Sequence, residues 1–191
     1  MRLFIALNLP AKERERIYKA AAPIRESELP VGWIEPDRFH LTLKFLGEVR
    51  PEMVPAVEEV LDRVADGTRP FPLKIEGFGA FPTIRRPKVL WIGVEASPAL
   101  RCLKQDLEWA LTERGFDRET RAFHPHITLG RADAEVGAGA FRGLDSLAAS
   151  LKFRGELEVE RLDLMRSHLS REGARYTVVR TSDLKVAAPR K

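Results

Sequence analysis

Residues 2–9, RLFIALNL, form an apolar run of strand length. Ile17, Ala20, Ala21 and Ile24 then fall at the i, i+3, i+4, i+7 spacing of one helical face, which predicts a helix over residues 11–25. Residues 29–39 hold Pro30, Gly32 and Pro36 and read as a loop leading into a strand at 40–46. After Pro51, the stripe Val54, Val57, Leu61, Val64 predicts a second helix. Two strands follow at 71–78 and 88–95, and Leu100, Leu103, Leu107 and Leu111 mark a third helix over 98–114. The rest reads as a strand at 126–130, a Gly- and Ala-rich link, a short helix at 141–150, and strands at 153–159, 161–167 and 175–182, with REG as a turn between the last two. Several successive strands are joined too tightly to cross over a sheet. The pattern therefore predicts antiparallel pairing and an α+β fold.

Two of these strands carry the same unusual face. HLTLKFLG begins at His40 and HITLGR at His126, close to half the chain later. In a strand, residues i and i+2 share a face, so His40 projects with Thr42 and His126 with Thr128, while Leu41, Leu43, Ile127 and Leu129 point into the core. A strand, helix, motif-strand order precedes each copy: residues 2–9, 11–25 and 40–46, then 88–95, 98–114 and 126–130. This reads as a degenerate internal duplication that sets the two motif strands face to face across a cleft. Two imidazoles and two hydroxyls suit in-line attack on a phosphodiester, where one side loses a proton as the other gains one. The hydroxyls and a cation would hold the non-bridging oxygens as charge shifts. The rival reading is a zinc site, in which His124 and His126 chelate together with His40. It leaves both threonines without a task, and the motif strands offer no carboxylate or thiolate ligand.

Composition narrows the setting without choosing the chemistry. A chain of 191 residues with 44% hydrophobic residues can bury one sizeable core. Only the end, KVAAPRK, reads as an unstructured tail. The net charge of +4 permits anionic partners but does not require them. Cys102 is the single cysteine and cannot close an internal disulfide, so a cytoplasmic setting is expected, with Cys102 as a structural thiol. The apolar N-terminus is too short to span a membrane, and no membrane association is expected.

Beyond the two tetrapeptides, RLFIALNLP, GWIEPDRFHLTLKFLGEV, GFGAFPTIRRPKVLWIGV, FHPHITLGR and LMRSHLSREGARYTVV together resemble the two-histidine phosphoesterase superfamily, and within it the LigT-like RNA 2′,3′-cyclic phosphodiesterases. The resemblance runs over most of the chain in the family's order. It implies a single bilobal domain over 1–191, with two pseudo-twofold-related lobes, antiparallel sheets lining a central cleft and helices outside. It also implies opening of a 2′,3′-cyclic phosphate at an RNA 3′ end to a 2′-phosphomonoester, with no metal or other cofactor and no obligate protein partner. Carried over, His40 is the proton donor to the departing O3′ and His126 the proton acceptor that activates water. The roles exchange if the substrate lies the other way round. Thr42, Thr128 and Arg131 bind phosphate, and Phe45 matches an aromatic near the base, although strict alternation puts Phe45 on the core side with Leu41 and Leu43 unless the strand bends there. The alternatives are a 2′-5′ RNA ligase using the same site in reverse and a non-catalytic RNA or nucleotide-binding module. Lys44 is expected at a solvated rim, His124 as a neighbour of the catalyst, and His168 at the surface. Arg85, Arg86 and Lys88 read as a solvated loop rather than an RNA track, and Trp33, Trp91 and Tyr176 as packing residues, with stacking on a base as the alternative.

Overall fold

The computed structural model describes residues 1–170 and 173–185. The predicted REG turn falls largely on residues 171–172, and most of the predicted tail on 186–191; both lie outside the described residues. The chain orders itself as β1 (Arg2–Asn8), α1 (Ala11–Ala20), α2 (Ala22–Arg25), β2 (Val31–Trp33), β3 (His40–Glu48), α3 (Val54–Gly67), β4 (Phe71–Thr83), β5 (Arg86–Val94), α4 (Pro98–Thr112), β6 (His126–Ala132), α5 (Leu144–Ser150), β7 (Arg154–Val159), β8 (Arg161–Ser170) and β9 (Gly173–Asp183), with short 3-10 turns between some of them. The fold is α+β, and every strand pairing described is antiparallel.

Each predicted stripe supplies the core. Val57, Leu61, Leu100, Leu103, Leu107 and Leu111 are fully buried and join Leu3, Ile5, Leu41 and Ile127 in one cluster. The predicted first helix divides at Ala21 into α1 and α2. Pro23 explains the break, because it lacks an N–H and its ring clashes with the carbonyl four residues back, on Lys19.

The strands form one sheet in the order β7-β4-β5-β6-β3-β1-β8-β9, with β2 added to β6. This order is symmetric about the β6/β3 junction. Outward from the junction, β3 is followed by β1, β8 and β9, and β6 by β5, β4 and β7. The duplication read from the chain is thus realised as two four-stranded halves, with β1 and β5 in equivalent places. One expectation is corrected: the motif strands β3 and β6 do not oppose each other across a cleft but lie side by side, joined at Leu41 and Ile127. Both residues are buried, so lateral pairing lets the apolar faces of both motifs share one core.

The cleft arises elsewhere along the sheet. Only Glu160 separates β7 from β8, although β4, β5, β6, β3 and β1 stand between them in the sheet order. A single residue cannot span that distance along a flat sheet, so the two halves bend toward one another. A cavity of about 870 Å³ opens there, walled by Leu7, His40, Asp163 and Tyr176 from one half and by Leu73 and Leu157 from the other.

Candidate active site

The register at the junction decides how the two motifs meet. With Leu41 opposite Ile127, an antiparallel pair sets His40 toward Thr128 and Thr42 toward His126, all four on the face away from the core. The two histidines are diagonal neighbours, for which Cβ separations are about 7–8 Å. Each motif thus contributes a histidine that stands beside the other motif's threonine. His126 does not wall the 870 Å³ cavity; it stands one strand further along the sheet.

Both imidazoles are held in the same way. His40 Nδ1 lies 2.8 Å from the Arg38 carbonyl, and His126 Nδ1 lies 2.7 Å from the His124 carbonyl. A carbonyl only accepts, so in each ring Nδ1 carries the hydrogen and Nε2 is left to exchange protons. This gives His124 a role: its backbone orients the His126 ring, while its own ring stands 6.2 Å from Phe81. Among the described residues, no group of three or more His, Cys, Asp or Glu is arranged to hold a metal ion.

Aromatic rings enclose each histidine. Phe4 stands 5.0 Å and Tyr176 5.1 Å from His40, the latter edge-on. Phe81 stands 4.9 Å, also edge-on, and Trp91 6.2 Å from His126. Tyr176 and Trp91, read from the sequence as packing residues with base stacking as the alternative, border these two rings. This desolvation holds both imidazoles below their ordinary pKa of 6.5, against the opposing effect of the backbone carbonyls. The positive charge of His126 lowers His40 further, and those of His124 and Arg131 lower His126. Charge on one ring therefore disfavours protonation of the other.

The offsets of Phe45 and Arg131 have a structural cause that alternation alone conceals. Each lies five residues after its motif histidine, an odd spacing that would send it to the core face. The register of β1 against β3 runs Ala6↔Thr42 and then Ile5↔Lys44, so β3 carries one extra residue there. The register of β5 against β6 runs Trp91↔Thr128 and then Leu90↔Gly130, with the extra residue at the equivalent place. These are β-bulges, which reverse the facing of the residues beyond them. Phe45 consequently emerges on the histidine face, 67% exposed and 5.9 Å from Phe4, while Arg131 is exposed beyond Thr128. The core-side placement that alternation implied for Phe45 is thus corrected.

The same bulge sends Lys44 inward, against the expectation of a solvated rim. Lys44 is 6% exposed; its Nζ donates to Glu108 Oε2 at 2.7 Å and to the Asp117 carbonyl at 2.6 Å. Burial would raise the Glu108 pKa, but hydrogen bonds from Lys104, Lys44 and the Glu119 N–H outweigh it and hold the carboxyl below its ordinary value. In β6 the position equivalent to Lys44 is Gly130, where a Cβ would come within 2.6 Å of Val31 Cγ1 and 2.9 Å of Trp33 Cε3. Strand β2, which sequence reading took for loop, is what crowds that position.

This site sits in a chain whose residues 14–171 match the family model of the 2′-5′ RNA ligase superfamily. The chain belongs to that superfamily. A relative from Archaeoglobus fulgidus named RNA 2′,3′-cyclic phosphodiesterase is 34% identical over 94% of this chain and 98% of its own. One of the same name from Aeropyrum pernix is 34% identical over 84% and 90%. Among solved structures, TT0787 of Thermus thermophilus superposes with a TM-score of 0.82 at 30% identity, covering 98% of this chain and 100% of its own. LigT of E. coli complexed with 3′-AMP superposes with a TM-score of 0.77 at 29% identity, covering 97% and 98%. The family resemblance seen in the motifs thus extends through the whole fold. Among the described residues, no helix is long and apolar enough to cross a membrane.

Proposed function

We propose that this protein is an RNA 2′,3′-cyclic phosphodiesterase that opens a terminal cyclic phosphate to a 2′-phosphomonoester by metal-independent acid–base catalysis. One observation carries the reading: both motif histidines are pinned through Nδ1 to a carbonyl two residues back, so two equivalent Nε2 atoms are available on one face. In the reactive state His126 is neutral and His40 protonated. Water attacks phosphorus and gives a proton to His126 Nε2, the P–O3′ bond breaks, and His40 Nε2–H protonates O3′. The protonation states of the two rings exchange, and solvent resets them. Thr42 and Thr128 donate to the non-bridging oxygens, Arg131 neutralises their charge, and the exposed ring of Phe45 offers a surface for the terminal base. The names of the relatives support the same reaction. With a 5′-hydroxyl in place of water, the same atoms form a 2′,5′ linkage, a reading favoured by the superfamily description.

An oligonucleotide ending in 2′,3′-cyclic phosphate should yield a 2′-phosphate end in the presence of excess EDTA. Absence of product, or activity only after a divalent metal is added back, would refute the assignment. Paired RNA halves, one with a cyclic phosphate and one with a 5′-hydroxyl, measure the share of ligation.

A further inference from the structure

The buried lysine of the first motif strand has no task in the chemistry just described, and its surroundings give it one. Lys44 occupies the strand position that plain alternation would set beside His40 and Thr42. Instead, the bulge turns it under the sheet, where Nζ reaches a carboxylate on α4 and a backbone carbonyl at Asp117. Glu108 also accepts from Lys104 and, at 3.2 Å, from the Glu119 N–H. The side chain at the bulge is therefore tied to helix α4 and to the segment that leads from α4 toward His126.

A buried ion pair is a weak source of stability, but it can select one register from several. In an unbulged register Lys44 would join His40 and Thr42 on the histidine face and Phe45 would turn into the core, which reverses what that face presents. The second motif reaches its bulge by a different route, with Gly130 fitting beneath Val31 and Trp33. We infer that the Lys44–Glu108 pair is a positioning device: it locks the bulge of β3 and thereby presents Phe45 to the base of the bound nucleotide. The inference rests on the reading of Phe45 as the base platform.

A double-mutant cycle read by binding rather than turnover tests it, with adenosine 2′-monophosphate and inorganic phosphate as calorimetric probes. Phe45→Ala should weaken nucleotide binding about tenfold, the worth of one aromatic stacking contact. Lys44→Met should weaken it by a similar factor, and the double variant should be no weaker than either single one, because both changes remove the same contact. Phosphate affinity should change less than about twofold in all three, since each keeps both histidines, both threonines and Arg131. Lys44→Arg should bind as the parent does. If Lys44→Met does not fold, Glu108→Gln replaces it in the same cycle. Losses that multiply to about a hundredfold in the double variant, or nucleotide binding unaltered by Lys44→Met, would overturn the inference. Because the cycle needs no catalysis, a protein that binds nucleotide but releases no 2′-phosphate would refute the proposed reaction while leaving this test intact.

Discussion

Strands β3 and β6 share one arrangement and differ at and beyond the bulge and in the rings around the histidine. Both open with a histidine pinned to a carbonyl, carry threonine two residues on, and bulge after it. At the bulge one has Lys44 in a buried ion pair and the other Gly130 under a packed strand. Beyond it one offers Phe45 and the other Arg131. The cage around the imidazole is Phe4 with Tyr176 in one and Phe81 with Trp91 in the other. What stays constant is the pinned histidine with a threonine on its face, the part that the proposed proton transfer uses. What has diverged is the residue beyond the bulge: an exposed ring five places after His40 and a cation five places after His126. A symmetric set of four groups becomes a site with direction.

The largest effects should come from the constant part. His40→Ala and His126→Ala should each lower kcat by about 10²–10⁴-fold with folding retained, and the double variant should fall well short of the product of the two losses. Strict multiplicativity would mean that the histidines do not act as a pair. Breaking the divergent part should cost stability before chemistry. Lys44→Ala leaves Glu108 buried without one partner and should cost about 3 kcal/mol in urea denaturation. Gly130→Ala should cost about 1–3 kcal/mol, through overpacking against Val31 and Trp33. A neutral result at either position would show that the bulge does not depend on that residue. Thr42→Val and Thr128→Val should each reduce kcat/KM by about tenfold or more, because each removes a donor to a charged oxygen.

The pH dependence sharpens the comparison further. Burial lowers both imidazole pKa values from 6.5, so the bell-shaped profile of kcat/KM, which reports the free enzyme, should have both limbs on the acid side of 6.5. Fold stability follows the same sign. The unfolded chain binds more protons at these rings than the folded one, so their contribution is fully present above pH 6.5 and is lost as pH falls through the folded values. A profile whose limbs lie above 6.5, or stability that rises on acidification through that window, would contradict the half-buried setting of the histidines.

Much of this was legible in the chain because it obeys local periodicity. The stripes Val54–Val64 and Leu100–Leu111 and the alternation around Leu41 and Ile127 predicted the buried faces correctly, and the repeated His-x-Thr pointed to the site. The bulges were not legible. A bulge is a relation between a strand and its partner, and nothing in KFLG or LGR shows that Ala6 and Ile5, or Trp91 and Leu90, skip a residue opposite them. The burial of Lys44 was hidden with it, whereas Phe45 and Arg131 were pointed to only by the family resemblance. Strand β2 escaped for another reason, since three residues flanked by prolines and centred on Gly32 carry no period. The lateral meeting of β3 and β6 depends on long-range pairing that the duplication implied but could not orient.

In the proposed reaction His40 and His126 divide the proton work, with His40 serving the leaving oxygen. This division is tested most directly by cleavage of a cyclic substrate in which sulfur replaces the bridging O3′, because a thiolate departs without being protonated. His40→Ala should recover most of its lost activity on this substrate, whereas His126→Ala should remain as impaired as on the oxygen substrate. Recovery of His126→Ala instead, or of neither variant, would contradict the account.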